Sequence, residues 1–260
     1  MSGIFIDIDA WIIAVILGLL MCGGWRLGGW RDRRSGKQAE QKRESDNATG
    51  QLAGASVALL GLLLAFTFSL SLERHEQRRL MVVEHANTIG DFATCASLLK
   101  EPVRSQLRQV LHKYVEHVLS IRTPRITEAQ VQKGLAMNEQ MHNEMQLLVK
   151  EAVDDGTPIA VSLVNTLNDL TSSHDARLAA IRNRLPSSIV VLLCLSAIVA
   201  MVQIGLQNGK LDERELITGL GFVVLVCLCV WVTLDLNQPQ GDMVTISQEP
   251  MQRLLLSLSQ

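Results

Sequence analysis

Charge is what this sequence has least of. Asp, Glu, Lys and Arg make up 19% of its 260 residues, against about 25% in an ordinary soluble domain. They are missing altogether, as is His, from four windows: 10–25, 52–72, 185–209 and 216–234. Crossing a bilayer takes about 20 predominantly apolar residues, with a range of roughly 17 to 25. The second, third and fourth windows meet that length. The first, closed in by Asp9 and Arg26, falls short of it. Soluble helices rarely run so far without a charge, so the expectation is an integral, multi-pass membrane protein with lipid bilayer as its solvent.

Other absences narrow the function. Ion-coupled carriers and proton relays keep ionisable groups inside the membrane, and these windows hold none, whereas a passive pore needs none. There is no Gly-rich phosphate loop, no H-E-x-x-H and no nucleophile elbow, so the chain does not read as an enzyme and no cofactor is implied. His75-Glu76 lacks a second histidine, and His112 and His117 fall about 140° apart around a helix, so no metal is assigned. A net charge of −2 and a pI near 6.3 give nucleic acid nothing to bind. Of five cysteines, only Cys95 lies outside the windows, which rules out a disulfide framework. Strict apolar/polar alternation is absent, and with it the signature of strands. The opening MSGIFIDIDAWII carries Asp7 and Asp9 where a secretory leader carries positive charge.

What is present reads as all-α: four transmembrane helices arranged two plus two, with a helical-bundle domain between the pairs. Residues 1–51 hold the short first span and a basic, polar loop, and 52–72 is the second span. No residue from Leu52 to Ile89 demands a break, so the second span is expected to run on as one rod into an extramembrane domain over 73–184. Val82, Val83, Ala86, Ile89 and Ala93 continue its apolar stripe. Pro102 suits the first turn of the next helix, whose stripe is Val103, Leu107, Val110, Leu111, Tyr114, Val115, Val118 and Leu119. Thr127 with Gln130 resembles a capping box for a helix that turns Val131, Leu135, Met141, Leu148 and Val149 inward. DDGTP at 154–158 is a stop and restart, and Leu163, Leu167, Leu170, Leu178 and Ile181 mark the helix after it. Spans three and four occupy 185–236. In the tail, 237–260, a β-prone MVTI precedes a short amphipathic helix with Met251, Leu254, Leu255 and Leu258 on one side, expected to fold back on the bundle or the membrane surface.

The second span carries the residues of most interest. Gly54, Ala58, Gly61 and Ala65 recur at helical spacing and form a small-residue face suited to close helix packing. Thr67, Ser69 and Ser71 place hydroxyls near the charged end, and Phe66 and Phe68 project elsewhere. Either the span packs against other helices, or it lines a narrow pore with Leu62, Phe66, Phe68, Ser69 and Leu70 at the constriction. Arg74, Arg78 and Arg79 would then set the charge of the mouth and favour inorganic anions. Met137, Met141 and Met145 read as core filler. Asn168, Asp169, His174 and Arg177, about a turn apart, read as a helix–helix contact.

The segments LLGLLLAFTFSLSLER, RRLMVVEHANTIG, LNDLTSSHDARLAAIRNRLP and LDLNQPQGDMVTISQEP together resemble the bacterial bestrophin-like membrane family. The resemblance covers residue 51 to the C-terminus. It implies kinship with bestrophins, pentameric anion channels with a pore-lining second span and an apolar neck, for which Leu62, Phe66, Phe68 and Leu70 would be the matching positions. The acidic calcium-clasp run of animal bestrophins is absent. Two functions stay open. One is a homo-oligomeric passive channel in a bacterial inner membrane. The other is a non-conducting sensor or scaffold whose helical domain binds a partner or ligand.

Overall fold

The computed structural model of the chain describes residues 9–34, 39–120, 128–207, 213–238 and 245–259. Among them lie eight helices and no strand: α1 (Ala10–Arg34), α2 (Ala39–Ser97), α3 (Val103–Ser120), α4 (Glu128–Asp154), α5 (Ala160–Arg182), α6 (Ser187–Gln207), α7 (Glu213–Asn237) and α8 (Glu249–Leu258). Four helical stretches are long and apolar enough to cross a membrane. The protein is an all-α membrane protein.

α2 is a single helix of 59 residues. At 1.5 Å per residue that is about 90 Å, three times the roughly 30 Å of a hydrocarbon core. Only its charge-free part, 52–72, suits lipid, and Glu73, Arg74, Glu76, Arg78 and Arg79 follow at once. The stretch before it departs from expectation. Residues 39–50, read as loop, are helical. AEQKRE is made of strong helix formers without a proline, and their polarity suits a helix in water as well as it suits a loop.

The helices form two compact units. Unit 1 comprises 1–74 and 184–244, and unit 2 comprises 75–183 and 245–260. In unit 1, α1 packs along α6 and α7. Its core joins Leu17, Met21 and Trp25 to Ala197 and Met201 of α6 and to Val226 and Val230 of α7. α1 and α6 approach backbone to backbone: a Cβ on Gly28 would overlap the carbonyl oxygen of Val202, and one on Gly205 would overlap that of Trp25. Lipid offers no hydrophobic drive for helices to associate, so small residues that let backbones touch supply the packing. Just before α6, the Leu185 N–H donates to Asn237 Oδ1 at 2.7 Å, which ties the entry of α6 to the end of α7.

Unit 2 has a conventional apolar core. Val82, Ile89 and Phe92 of α2 meet Leu107, Leu111 and Val115 of α3, Met145 and Val149 of α4, and Leu163, Leu167 and Leu170 of α5. Met141 is buried with Met145, while Met137 is exposed. The Glu101 carboxylate caps α3, accepting from the Ser105 N–H at 3.2 Å and from Arg104 Nε at 2.8 Å. α4 ends where the stop was read. Gly156 adopts φ 75°, its N–H reaching Val153 O at 3.0 Å and the Thr157 N–H reaching Ala152 O at 3.2 Å, the paired bonds of a Schellman end. Thr127, Val131 and MV of the MVTI run lie outside the residues whose side chains are described; Thr245 and Ile246 are in no strand. α8 buries Met251 and Leu258 in the core of its unit, and Arg108 Nε donates to Leu258 O at 2.9 Å, closing the helix's C-terminal end.

Candidate pore face and a buried histidine–tyrosine network

The side of α2 that its own chain covers is read from burial. Ala53, Leu60, Thr67 and Ser71 are buried, with Val57 and Leu64 half-buried beside them. At 100° per residue these positions share one side of the helix. The opposite side carries Leu62, Phe66, Ser69 and Glu73, successive at i+4, i+3 and i+4, all exposed. Phe66 is 60% and Leu62 53% exposed, so among the described residues no element packs over them. Phe68 and Leu70 are exposed but stand to either side, Phe68 about 160° around from Phe66. Only 17% of the apolar window of α2 is buried, against 28% to 33% in the other three stretches, so it is the least covered of the four.

The small-residue face adjoins this open stripe. Gly54, Ala58, Gly61 and Ala65 are exposed, and a Cβ on Gly54 or Gly61 would meet nothing within 4 Å. The chain's own close packing uses Gly28 and Gly205 instead. The three hydroxyls also separate. Thr67 turns inward and donates to Leu63 O at 2.8 Å and Leu64 O at 3.0 Å, Ser71 is fully buried, and Ser69 alone stands on the open side.

The arginines expected at the mouth are divided likewise. Arg78 is buried and Arg74 half-buried, both on the covered side of the helix by phase. Arg79 is exposed and pairs with Glu76 at 3.3 Å. Glu73 is the charged residue in line with Leu62 and Phe66.

Unit 2 hides a second arrangement. His85 of α2, Tyr114 of α3, His142 of α4 and Ser173 and His174 of α5 are all buried. Each interrupts an apolar stripe: His85 between Val82 and Ile89, Tyr114 between Leu111 and Val115, His142 beside Met141, and Ser173 with His174 after Leu170. Four of them are hydrogen-bonded to one another, while His142 Nε2 is buried with no hydrogen-bond partner among the described residues. His85 Nδ1 lies 2.8 Å from Ser173 Oγ, His85 Nε2 lies 2.9 Å from Tyr114 Oη, and Tyr114 Oη lies 2.9 Å from His174 Nδ1. Ser173 Oγ also meets Thr88 Oγ1 at 2.7 Å and donates to Leu170 O at 2.8 Å.

Each contact takes one proton, so donors and acceptors along the network are coupled: with His85 donating from Nδ1 to Ser173, Tyr114 donates to His85 Nε2 and accepts from His174 Nδ1, and with Ser173 donating to His85 all three reverse. Either direction leaves both histidines neutral. The His142 ring lies edge-on to His174, with centroids 4.9 Å apart, and 5.2 Å from Tyr114.

Burial holds these rings uncharged. Desolvation, helped by the Arg177 charge, lowers His85 to about 2. Desolvation and then His142 lower His174 to about 4, with Asp175 opposing. Desolvation also lowers His142, again against Asp175, and raises the Tyr114 hydroxyl. The rings are joined through hydroxyls rather than converging on a point, and among the described residues no group of three metal-ligating side chains is placed to hold an ion.

A protein-family model described as Bestrophin-like domain matches residues 11–251. The chain belongs to the bestrophin-like family. Crystal structures of a bacterial bestrophin homologue from Klebsiella pneumoniae share its fold. One, of a variant with a tryptophan replaced by alanine, is 12% identical at TM-score 0.68, covering 100% of this chain and 99% of that one. Another, with an aspartate replaced by alanine, is 11% identical at TM-score 0.67, covering 95% and 97%. No curated protein matches the chain.

For this bestrophin-like protein, sequence reasoning located α2 and its residues but not which side faces away from the chain. It took His174 and Arg177 as a helix–helix contact, and His174 does bridge helices, through Tyr114. It passed over His85, Tyr114, His142 and Ser173 as a group. The available signal was a polar residue inside an otherwise apolar stripe on each of four helices.

Proposed function

We propose that the bestrophin-like protein is a passive ion channel of a bacterial inner membrane. Several copies assemble, and α2 of each lines the path with Leu62, Phe66 and Ser69 toward the lumen. One observation carries the reading: α2 buries one side in its own chain and leaves Phe66 and its stripe uncovered on the other. Exposed small residues beside that stripe give neighbouring copies a surface for close approach. A ring of Phe66 side chains is an apolar constriction of the kind that gates by dewetting. Spans without ionisable groups suit conduction without coupling.

Purified protein in planar bilayers is expected to carry current, and Phe66→Ala is expected to raise the single-channel conductance. Silence of inserted wild-type protein across many ions and voltages would end this reading.

A second reading, a sensor or scaffold without conduction, draws on a groove of about 1240 Å³ in unit 2 between α2, α3 and α8. Asp91, Glu101, Arg104, Arg108, Glu249 and Arg253 contribute to its lining. Cross-linking of full-length protein in native membranes tests it: products containing only other copies of the chain would remove its support.

A further inference from the structure

We infer that Glu73 makes the path selective for small cations, which rests on the channel reading above. The position follows from helical phase. Glu73 comes seven residues after Phe66 and eleven after Leu62, two and three turns on, and like them it is exposed. It is the first charged residue after the 52–72 window, so it stands where α2 leaves lipid, about 10 Å along the axis from the Phe66 ring.

The neighbouring positive charges lie off the open stripe or are paired. Arg78 is 2% exposed and lies on the covered side with Ser71 and Leu60. Arg74 is half-buried on that same side. Arg79 is exposed, but its guanidinium is held by the Glu76 carboxylate at 3.3 Å and 3.4 Å. Any assembly that turns Phe66 toward a common axis turns Glu73 toward it as well, because both ride one uninterrupted helix. The symmetric result is one carboxylate per copy around the mouth. A ring of like charge beside low-dielectric walls concentrates counter-ions and repels co-ions. The arginines expected to favour anions contribute no comparable ring, since two of the three sit on the other side of the helix.

The inference fixes substrate class and residue together, and both are read from a reversal potential. Wild-type protein in planar bilayers, under a tenfold NaCl gradient, is expected to reverse on the sodium side of zero. Glu73→Gln is expected to cut the cation-to-anion permeability ratio several-fold, and Glu73→Lys to move the reversal to the chloride side. Phe66→Ala is expected to alter conductance and leave the sign unchanged. The selectivity should also weaken between 0.1 M and 1 M salt, as the screening length drops from about 10 Å to about 3 Å. A wild-type reversal on the chloride side overturns the inference while the channel reading stands. Cation selectivity that survives both Glu73 variants overturns the role of this residue. Inserted wild-type protein that carries no current overturns the channel reading, and this inference with it.

Discussion

The two units of this protein solve opposite problems with the same element, the α-helix. Unit 1 excludes charge from its spans and gains its tightest contact by bringing the backbones of α1 and α6 together at Gly28 and Gly205. Unit 2 buries its apolar stripes in the usual way and then places three histidines, a tyrosine and a serine at the centre of them. In lipid an apolar side chain gains little from being buried, and packing relies on shape. Beside water the apolar core drives association, and polar groups inside it are tolerated when they satisfy one another. α2 passes through both regimes: its first half leaves most of its surface uncovered, whereas Val82, Ile89 and Phe92 of its second half are buried.

The comparison breaks most visibly at the glycines. Gly205→Leu places a side chain where the α1 backbone already lies, so the folded protein is expected to be lost from detergent extracts, as size-exclusion profiles would show. Gly54→Leu, facing open space, is expected to leave the monomer fold intact.

The next largest effect falls in unit 2. Tyr114→Phe strands His85 Nε2 and His174 Nδ1 without a partner, and each buried polar group left unmade costs about 1–3 kcal/mol. Thermal unfolding of the detergent-solubilised protein should show a clear drop. Phe66→Ala, which removes no covered contact within the chain, should change that midpoint little.

Acid provides a graded version of the same test. Below about pH 6.5 the unfolded chain protonates its histidines, while folding holds His174 neutral down to about 4 and His85 down to about 2. The unfolded state therefore binds more protons in that window, and stability present above pH 6.5 is lost as the pH falls. The slope is about 1.4 kcal/mol per pH unit for each ring so held. A melting midpoint that stays flat from pH 7 to 4.5 would contradict neutral burial. The smallest effect belongs to the surface: Arg79→Ala removes an exposed pair with Glu76 and should cost under about 1 kcal/mol.

Much of this architecture was legible in the residues. The charge-free windows 10–25, 52–72 and 216–234 lie within α1, α2 and α7, the window 185–209 contains α6, and the apolar stripes over 103–119 and 159–181 match α3 and α5. DDGTP ends α4 at a left-handed glycine because few residues but glycine adopt that backbone at no cost. Legibility failed where one periodicity served two outcomes. AEQKRE suits a polar loop or an exposed helix equally well. Thr67, Ser69 and Ser71 alternate in the sequence, yet two of them turn inward and one outward, and hydropathy does not distinguish them.

The network was beyond reach for a different reason. Its members are separated by 29, 60 and 88 positions, and each alone reads as a stray polar residue on an apolar stripe.

By itself the sequence determined that this protein lives in a bilayer and is helical. Both follow from local chemistry: runs without charge, periodic apolar stripes, and stop signals that act within a few residues. Only the tertiary structure decided which side of α2 is covered, that the arginines of its charged end are mostly turned away from the open stripe while Glu73 is not, and that His85, Tyr114 and His174 are joined by hydrogen bonds. Those outcomes depend on which surfaces meet across distant parts of the chain. A helix specifies the order of its faces, but its neighbours specify which face is left over.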